Sequence, residues 1–488
     1  MRRPSWFVSL IPFIVLVALL VCVIRTFGVE ALDGASQVCL LASAGVVAAI
    51  AILGYKVKWT ALEEAIVANI KSIATGILIL LLIGAVAGTW MVSGVVPTLM
   101  YYGIKILSPK VFLLAICLIS ALVSIMTGSS WTTIATIGVA FIGIGMALGY
   151  SPGWTAGAII SGAYFGDKIS PLSDTTVMAS SVNSVPLFEH IRYMMITTVP
   201  SMTIACTVFL IVSLCHGSAD SVMAEEFSQG LEGAFVISPW LLLVPLATGF
   251  LIVRKTPAIA TLFIAAFLAA VTALFAQPDI IAQIGGGSDA TGLFKGAMTA
   301  TFGSTAVKTG SEALDELVQT SGIFGMLPTI FLIISAAAFG GTLNGSGMVH
   351  SLTEAFAKFI TGRKSIVTAT VGTGLFCNMT TGDQFLSIIL TSNLYKKLYE
   401  EKGFEARLLS RTTEDACTVT SVLIPWNSCG MTQSTVLKVA TVEYLPYCIF
   451  NLISPLMSIM VAALGYKIVR GQGPRPLSSR PSGEGSRE

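Results

Sequence analysis

Residues Ser161 to Thr176 read SGAYFGDKISPLSDTT, and they lie inside a chain of almost unbroken apolar segments. The stretch holds two aspartates, a lysine, a proline and five Ser/Thr hydroxyls. It does not fit a lipid-facing helix. Each charge at bilayer depth costs roughly 2.5–3.5 kcal/mol on insertion scales, and Pro171 removes a backbone donor and breaks the helical ladder. Irregular backbone at that depth survives only where it is buried in protein or lines a wet cavity. A polar loop outside the membrane is the plainer alternative, but the segments on either side argue against it.

Of the 488 residues 54% are hydrophobic and only 11% charged, where a soluble chain carries about a quarter charged. The fold class this implies is all-α, a polytopic membrane protein whose first partner is the bilayer. A net charge of +2 says nothing about acidic partners or nucleic acid, and no basic patch suggests either, so no nucleic-acid partner is expected. The nine cysteines are scattered through apolar segments without a CxxC pair, and read as small packing residues. His190, His216 and His350 form no ligand cluster. Neither a cofactor nor a resident metal is implied.

A span needs about 20 apolar residues. Two N-terminal spans are expected within residues 1–55, the first (Trp6–Phe27) too long for a signal-peptide core. A first repeat follows over 56–215, with a dipping hairpin at 111–149 and a broken span at 154–187. Residues 216–308 hold connecting spans and a long Gly-rich outer loop. A second repeat covers 309–466, with a hairpin at 365–398 and a broken span at 404–440, and the tail 467–488 reads as disordered. About ten crossings and two hairpins result. Basic residues such as Arg2, Arg3, Lys56, Lys58, Arg363 and Lys364 put both termini in the cytoplasm.

Self-similarity ties the halves together. Gly88-Thr89 and Ser93-Gly94 recur as Gly341-Thr342 and Ser346-Gly347, and the same shift carries Met126-Thr127 onto Met379-Thr380 at the two hairpin tips. One residue more carries Pro171 onto Pro425 and Ser180-Ser181 onto Ser434-Thr435. Five crossings separate the copies, so they enter the membrane from opposite sides. Inverted repeats with interrupted helices are a signature of secondary transporters that work by alternating access.

Two tips and two breaks are therefore expected to converge. Their oxygens (Thr127, Ser129, Ser130, Ser173, Thr175, Asn378, Thr380, Thr381, Asn427, Ser428) suit a small hard cation, although any one hydroxyl could equally back-bond to its own helix. The carboxylates are Asp167, Asp174 and Asp383, with Glu414 and Asp415 in the second broken span. Desolvation disfavours a carboxylate's charged form, so a buried one can trade a proton for a bound cation. Asp174, just beyond the Pro171 break between Ser173 and Thr175, is expected to be the principal carboxylate, with Asp167 second. Lys168 is expected to neutralise Asp167 or Asp174.

At these residues the sequence resembles the NhaC-type sodium/proton antiporter family, on the stretch GAYFGDKISPLSDTT at Gly162–Thr176. The resemblance runs from roughly Lys56 to Gly465. It implies an antiporter of the bacterial inner membrane, with sodium and protons as transported ions, re-entrant hairpins, elevator-like motion and a homodimer. It points to Asp167, Ser170, Ser173, Asp174, Thr175 and Thr176. The family also contains sodium-lactate/malate-proton exchangers. Pro425-Trp426-Asn427-Ser428 departs from the pattern by having no aspartate, so the halves are not expected to bind ions equivalently.

Two rivals remain. An organic-acid exchanger needs a fixed cation at its anion, and no arginine lies in the four breaks. An intramembrane aspartyl protease, an enzyme, would pair Asp167 with Asp383 across a shared proton, but leaves the repeat and the hydroxyls unexplained.

Overall fold

The computed structural model describes residues 4–27, 34–216, 221–254, 256–357 and 362–468. Arg2, Arg3, Asp220 and the expected disordered tail beyond residue 468 lie outside them. Among the described residues the chain is helical, and strand pairing is limited to an isolated antiparallel bridge between Thr305 and Thr320. Eight helices are long and apolar enough to cross a membrane, and two bent pairs raise the number to ten.

The first span is Trp6–Phe27, as expected. The third is longer than its apolar core, because Trp59–Val92 runs as one helix of 34 residues with Glu63, Glu64 and Lys71 exposed on its first turns. At 1.5 Å per residue it would be about 50 Å long, against a hydrocarbon core of about 30 Å. The charged turns therefore extend beyond the hydrocarbon or the helix tilts.

The long Gly-rich loop expected before Gln319 is not a loop. It folds into three helices, Pro278–Gly285, Ala290–Phe302 and Glu312–Val318. Its glycines serve close packing instead: a Cβ on Gly296 would lie 2.1 Å from the Ile281 carbonyl oxygen, and a Cβ on Gly88, in the helix Trp59–Val92 on which the segment packs, would lie 2.0 Å from that of Ala300. Glycines that let helices approach and glycines that punctuate loops look alike in sequence. Likewise Glu225 and Glu226 sit on a helix, Ser221–Ala234, that bends by 92° into Pro239–Val253.

Each expected hairpin is a pair of helices joined through a left-handed glycine. Phe112–Thr127 turns at Gly128 (φ +67°) into Ser130–Ala147, and Arg363–Thr381 turns at Gly382 (φ +66°) into Gln384–Glu401. The return arm Ser130–Ala147 is 72% covered by protein, whereas the first span is 18% covered. It is an internal element, which is why its apolar sequence is rich in Gly, Ala and Thr.

The local geometry repeats as well as the sequence. Thr89 donates to the Ala85 carbonyl and Thr342 to that of Ala338, and each helix ends at a glycine with positive φ, Gly94 or Gly347. At the tips the Ser129 amide donates to Thr127 and the Asp383 amide to Thr381. The structural partner of Thr127 is thus Thr381, one residue beyond the Thr380 given by matching Met-Thr pairs.

The first broken helix, Pro152–Ile169, lies against Phe112–Thr127 on a glycine face, where a Cβ on Gly162 or Gly166 would come within 2.0 or 2.3 Å of the Cys117 or Ala121 carbonyl oxygen. Backbone cannot yield as a side chain does. Gly166→Val should therefore lower the unfolding midpoint of the purified protein, at a cost of about 1–3 kcal/mol or more. Gly45→Ala, where a Cβ meets nothing within 4 Å, should leave the midpoint unchanged or raise it.

Candidate functional site

The first junction is built where a hairpin tip meets a helix break. Ser129 caps the return arm by accepting from the Thr132 amide, which frees the Ser130 amide at the helix N-terminus. That amide and the Ser130 hydroxyl both donate to Oδ2 of Asp167, at 3.1 and 2.8 Å. Asp167 is 5% exposed, in the last turn of Pro152–Ile169. The break follows: Ser170 donates to the Ile125 carbonyl, and Ser173 caps Asp174–Val182 by accepting from the Thr176 amide. Thr176 returns a hydrogen bond to the Lys168 carbonyl left open by the break. Thr175 pairs with Ser173 at 3.0 Å.

Asp174 lies differently. It occupies the first turn of Asp174–Val182, where a carboxylate suits the helix dipole, and it is exposed. Of the two aspartates in the stretch, Asp167 is the one enclosed by protein donors.

The second junction has the same plan with other side chains. Asp383 caps the second return arm by accepting from the Leu386 amide, and the Ser428 hydroxyl donates to its other oxygen at 3.4 Å. The Ser428 amide donates to the Gly382 carbonyl, and Asn427 donates to the Asn378 carbonyl. Asn378 donates in turn to the Cys417 carbonyl and to Thr420. Thr380 only back-bonds to Cys377 in its own helix, and Thr127 is held within its tip against Thr133.

The junctions are brought together crosswise. Asp174–Val182 packs on the second hairpin, where Asn183 donates to Ser392 at 2.9 Å, while Ser428–Leu437 packs on the first. Between them lies a buried ion pair. Lys168 pairs with Asp415, not with the expected Asp167 or Asp174. Asp415 also accepts from Thr197 at 2.9 Å and Ser454 at 3.0 Å, and all four side chains are buried. An ammonium can face only so many carboxylates, and a partner on another helix was invisible to a search of its own stretch.

Arg411, Thr197 and Ser454 complete what the sequence candidates left out. Thr197 and Ser454 sit in ordinary apolar spans and carry no sequence signal. Arg411 lies before the second break and outside it, yet is fully buried with its guanidinium 4.8 Å from the Tyr193 ring. Its place three residues before Glu414 and four before Asp415 was the available clue.

Comparison with known proteins gives a consistent set. The pattern of the Na+/H+ antiporter family matches residues 4–181 and 162–466. The Na(+)/H(+) antiporter NhaC of Alkalihalophilus pseudofirmus is 36% identical over 417 residues, which cover 86% of this chain and 88% of that one. The malate-2H(+)/Na(+)-lactate antiporter of Bacillus subtilis is 34% identical over 86% of this chain and 85% of its own length. The arginine/ornithine antiporter ArcD of Halobacterium salinarum is 32% identical over 96% and 93%.

A buried pair is costly to break from one side and cheap to replace whole. Lys168→Met should destabilise the purified protein by about 3–5 kcal/mol, and adding Asp415→Leu should recover part of that loss. Thermal unfolding of the two single variants and the double closes the cycle; additive losses would show that the pair contributes no coupling.

Proposed function

The chain belongs to the Na+/H+ antiporter family, and from that premise we propose that it exchanges sodium for protons across the bacterial inner membrane, with Asp167 as the carboxylate for which the two ions compete. The family is one of transporters rather than enzymes, which leaves the aspartyl-protease reading without support. Its cargo is sodium and protons, and no cofactor enters the reading.

The observation that carries the assignment of Asp167 is its position: buried, at the C-terminal end of an interrupted helix, facing the N-terminus of a hairpin arm through Ser130. Both hydrogen bonds fall on Oδ2, which leaves Oδ1 for a ligand. A carboxylate this enclosed is costly to hold charged without a partner. It binds a proton or a sodium ion but not both, and that exclusion couples the two flows. Oxygens of Ser173 and the broken backbone supply the remaining ligands a sodium ion needs. The exposed Asp174 fits an approach to the site better than the site itself, so burial reverses the order of the two aspartates expected from sequence.

We read the two halves as inverted repeats whose tips and breaks form one central region, with alternating access moving that region between the two sides. A homodimer with cytoplasmic termini fits the same reading. An organic-acid exchanger is the second possibility, supported by the Bacillus subtilis relative's name and by the buried guanidinium of Arg411. Simple antiport is favoured because Lys168, the cation nearest the first junction, is already neutralised by Asp415 and has no charge to spare for an anion.

Vesicles of purified protein with an acid-inside gradient test this directly. Sodium chloride alone should collapse the gradient, Asp167→Asn should reduce that response to background, and Asp174→Asn should retain most of it. Asp167→Asn working at the wild-type rate sinks the assignment. A response seen only when malate or lactate accompanies sodium moves the chain to the organic-acid exchangers.

A further inference from the structure

Glu414 is fully buried, yet neither of its carboxylate oxygens accepts a hydrogen bond. It opens the π-helical turn Glu414–Thr418 on the approach to the second break, and such widened turns collect at functional sites. Thr418 Oγ1, on the same turn, is likewise buried without a partner. The helix Asp174–Val182 of the first half, with buried Thr175 in its first turn, packs against the turn Glu414–Thr418.

The charged groups around it do not close the gap. Lys168 and Asp167 are the charges that act on Glu414, and Lys168 is paired with Asp415. Arg411, on the preceding turn of the same helix, lies over Tyr193, and among the described residues no ion pair joins it to Glu414. Among the described residues the buried carboxyl side chains Asp167, Asp383, Glu414 and Asp415 outnumber the buried permanent cations Lys168 and Arg411, with His190 the remaining buried base. A structural role for Glu414 would need a donor. What converges there instead is a carboxylate and two hydroxyl oxygens, the ligand set of a small hard cation.

We propose that Glu414, Thr418 and Thr175 form a second sodium site at the seam between the two halves, separate from the Asp167 junction. The site rests on the sodium-transport reading above. It gives the second half a carboxylate for cation binding even though its break, Pro425-Trp426-Asn427-Ser428, has none.

Equilibrium binding of radioactive sodium to the purified full-length protein in nanodiscs, at fixed pH, reads the number of sites. The wild type should bind two ions per chain, and Glu414→Gln one. Thr418→Val, which keeps the side-chain shape and removes one oxygen, should weaken one class of site about tenfold. One ion bound by the wild type, or two bound at unchanged affinity by both variants, overturns the proposal. Should Glu414→Gln fail to fold, Thr418→Val decides alone. Proton flux in vesicles separates this from the antiport reading. A wild type that binds two sodium ions, and loses one in Glu414→Gln, but moves no protons keeps the site and discards the exchange.

Discussion

The Lys168–Asp415 pair is the contact on which the arrangement of the interior depends. Taking both charges out of water costs several kcal/mol per ion, and mutual attraction repays it only when the remaining donors and acceptors are satisfied. Thr197 and Ser454 supply that satisfaction from two further helices, Leu187–Cys215 and Ile449–Leu464. One pair therefore ties both broken helices to two further helices. Its consequence is positional: Asp167 is the chain neighbour of Lys168, and Glu414 is the chain neighbour of Asp415. Neighbouring side chains on a helix point about 100° apart, so locking one residue of each couple aims the other at a defined direction.

The hairpin tips meet the same demand by another device. A tight turn between two packed helices leaves open amides at the start of its return arm. In each tip a threonine and a capping side chain close most of that set within the turn itself, Thr127 with Ser129 and Thr381 with Asp383. In the first tip the amide left over is the one that reaches Asp167. Rigid tips thus present a small number of donors at fixed places, and helix-on-helix contact through glycine brings the broken helix close enough to use them.

The architecture was legible because membrane burial is an absolute constraint: charges and prolines among apolar spans have few places to go. Ser129, Ser173, Asp383 and Asn427, read from sequence as ion ligands, cap helices in the structure, whereas the hairpins, the breaks and the repeat follow from residue type and spacing. Three things did not. Glycine signals closeness as readily as looseness, so the helices of 278–318 read as a loop. The exposure of Asp174 and burial of Asp167 depend on which helix face meets a neighbour, and both aspartates flank the same proline. The partner of Lys168 lies 247 residues away, and pairing between distant elements is set by packing that no local pattern encodes.

The comparison of the two halves shows where function has parted from fold. At the tip-to-break contact the first half sets Ser130 against Asp167; at the equivalent positions of the second, Gln384 and Ser421 meet at 3.4 Å. The contact is kept and the charge is not. The cap reverses the pattern, with a hydroxyl at Ser129 and a carboxylate at Asp383. Each junction thus keeps one acidic residue, but only in the first does it sit on the broken helix with an oxygen left free. In the second it is spent on the tip's own amide and on Ser428. A symmetric pair of sites would bind two ions with equal strength and no order between them. The halves thus share a scaffold but differ in the freedom of their carboxylates.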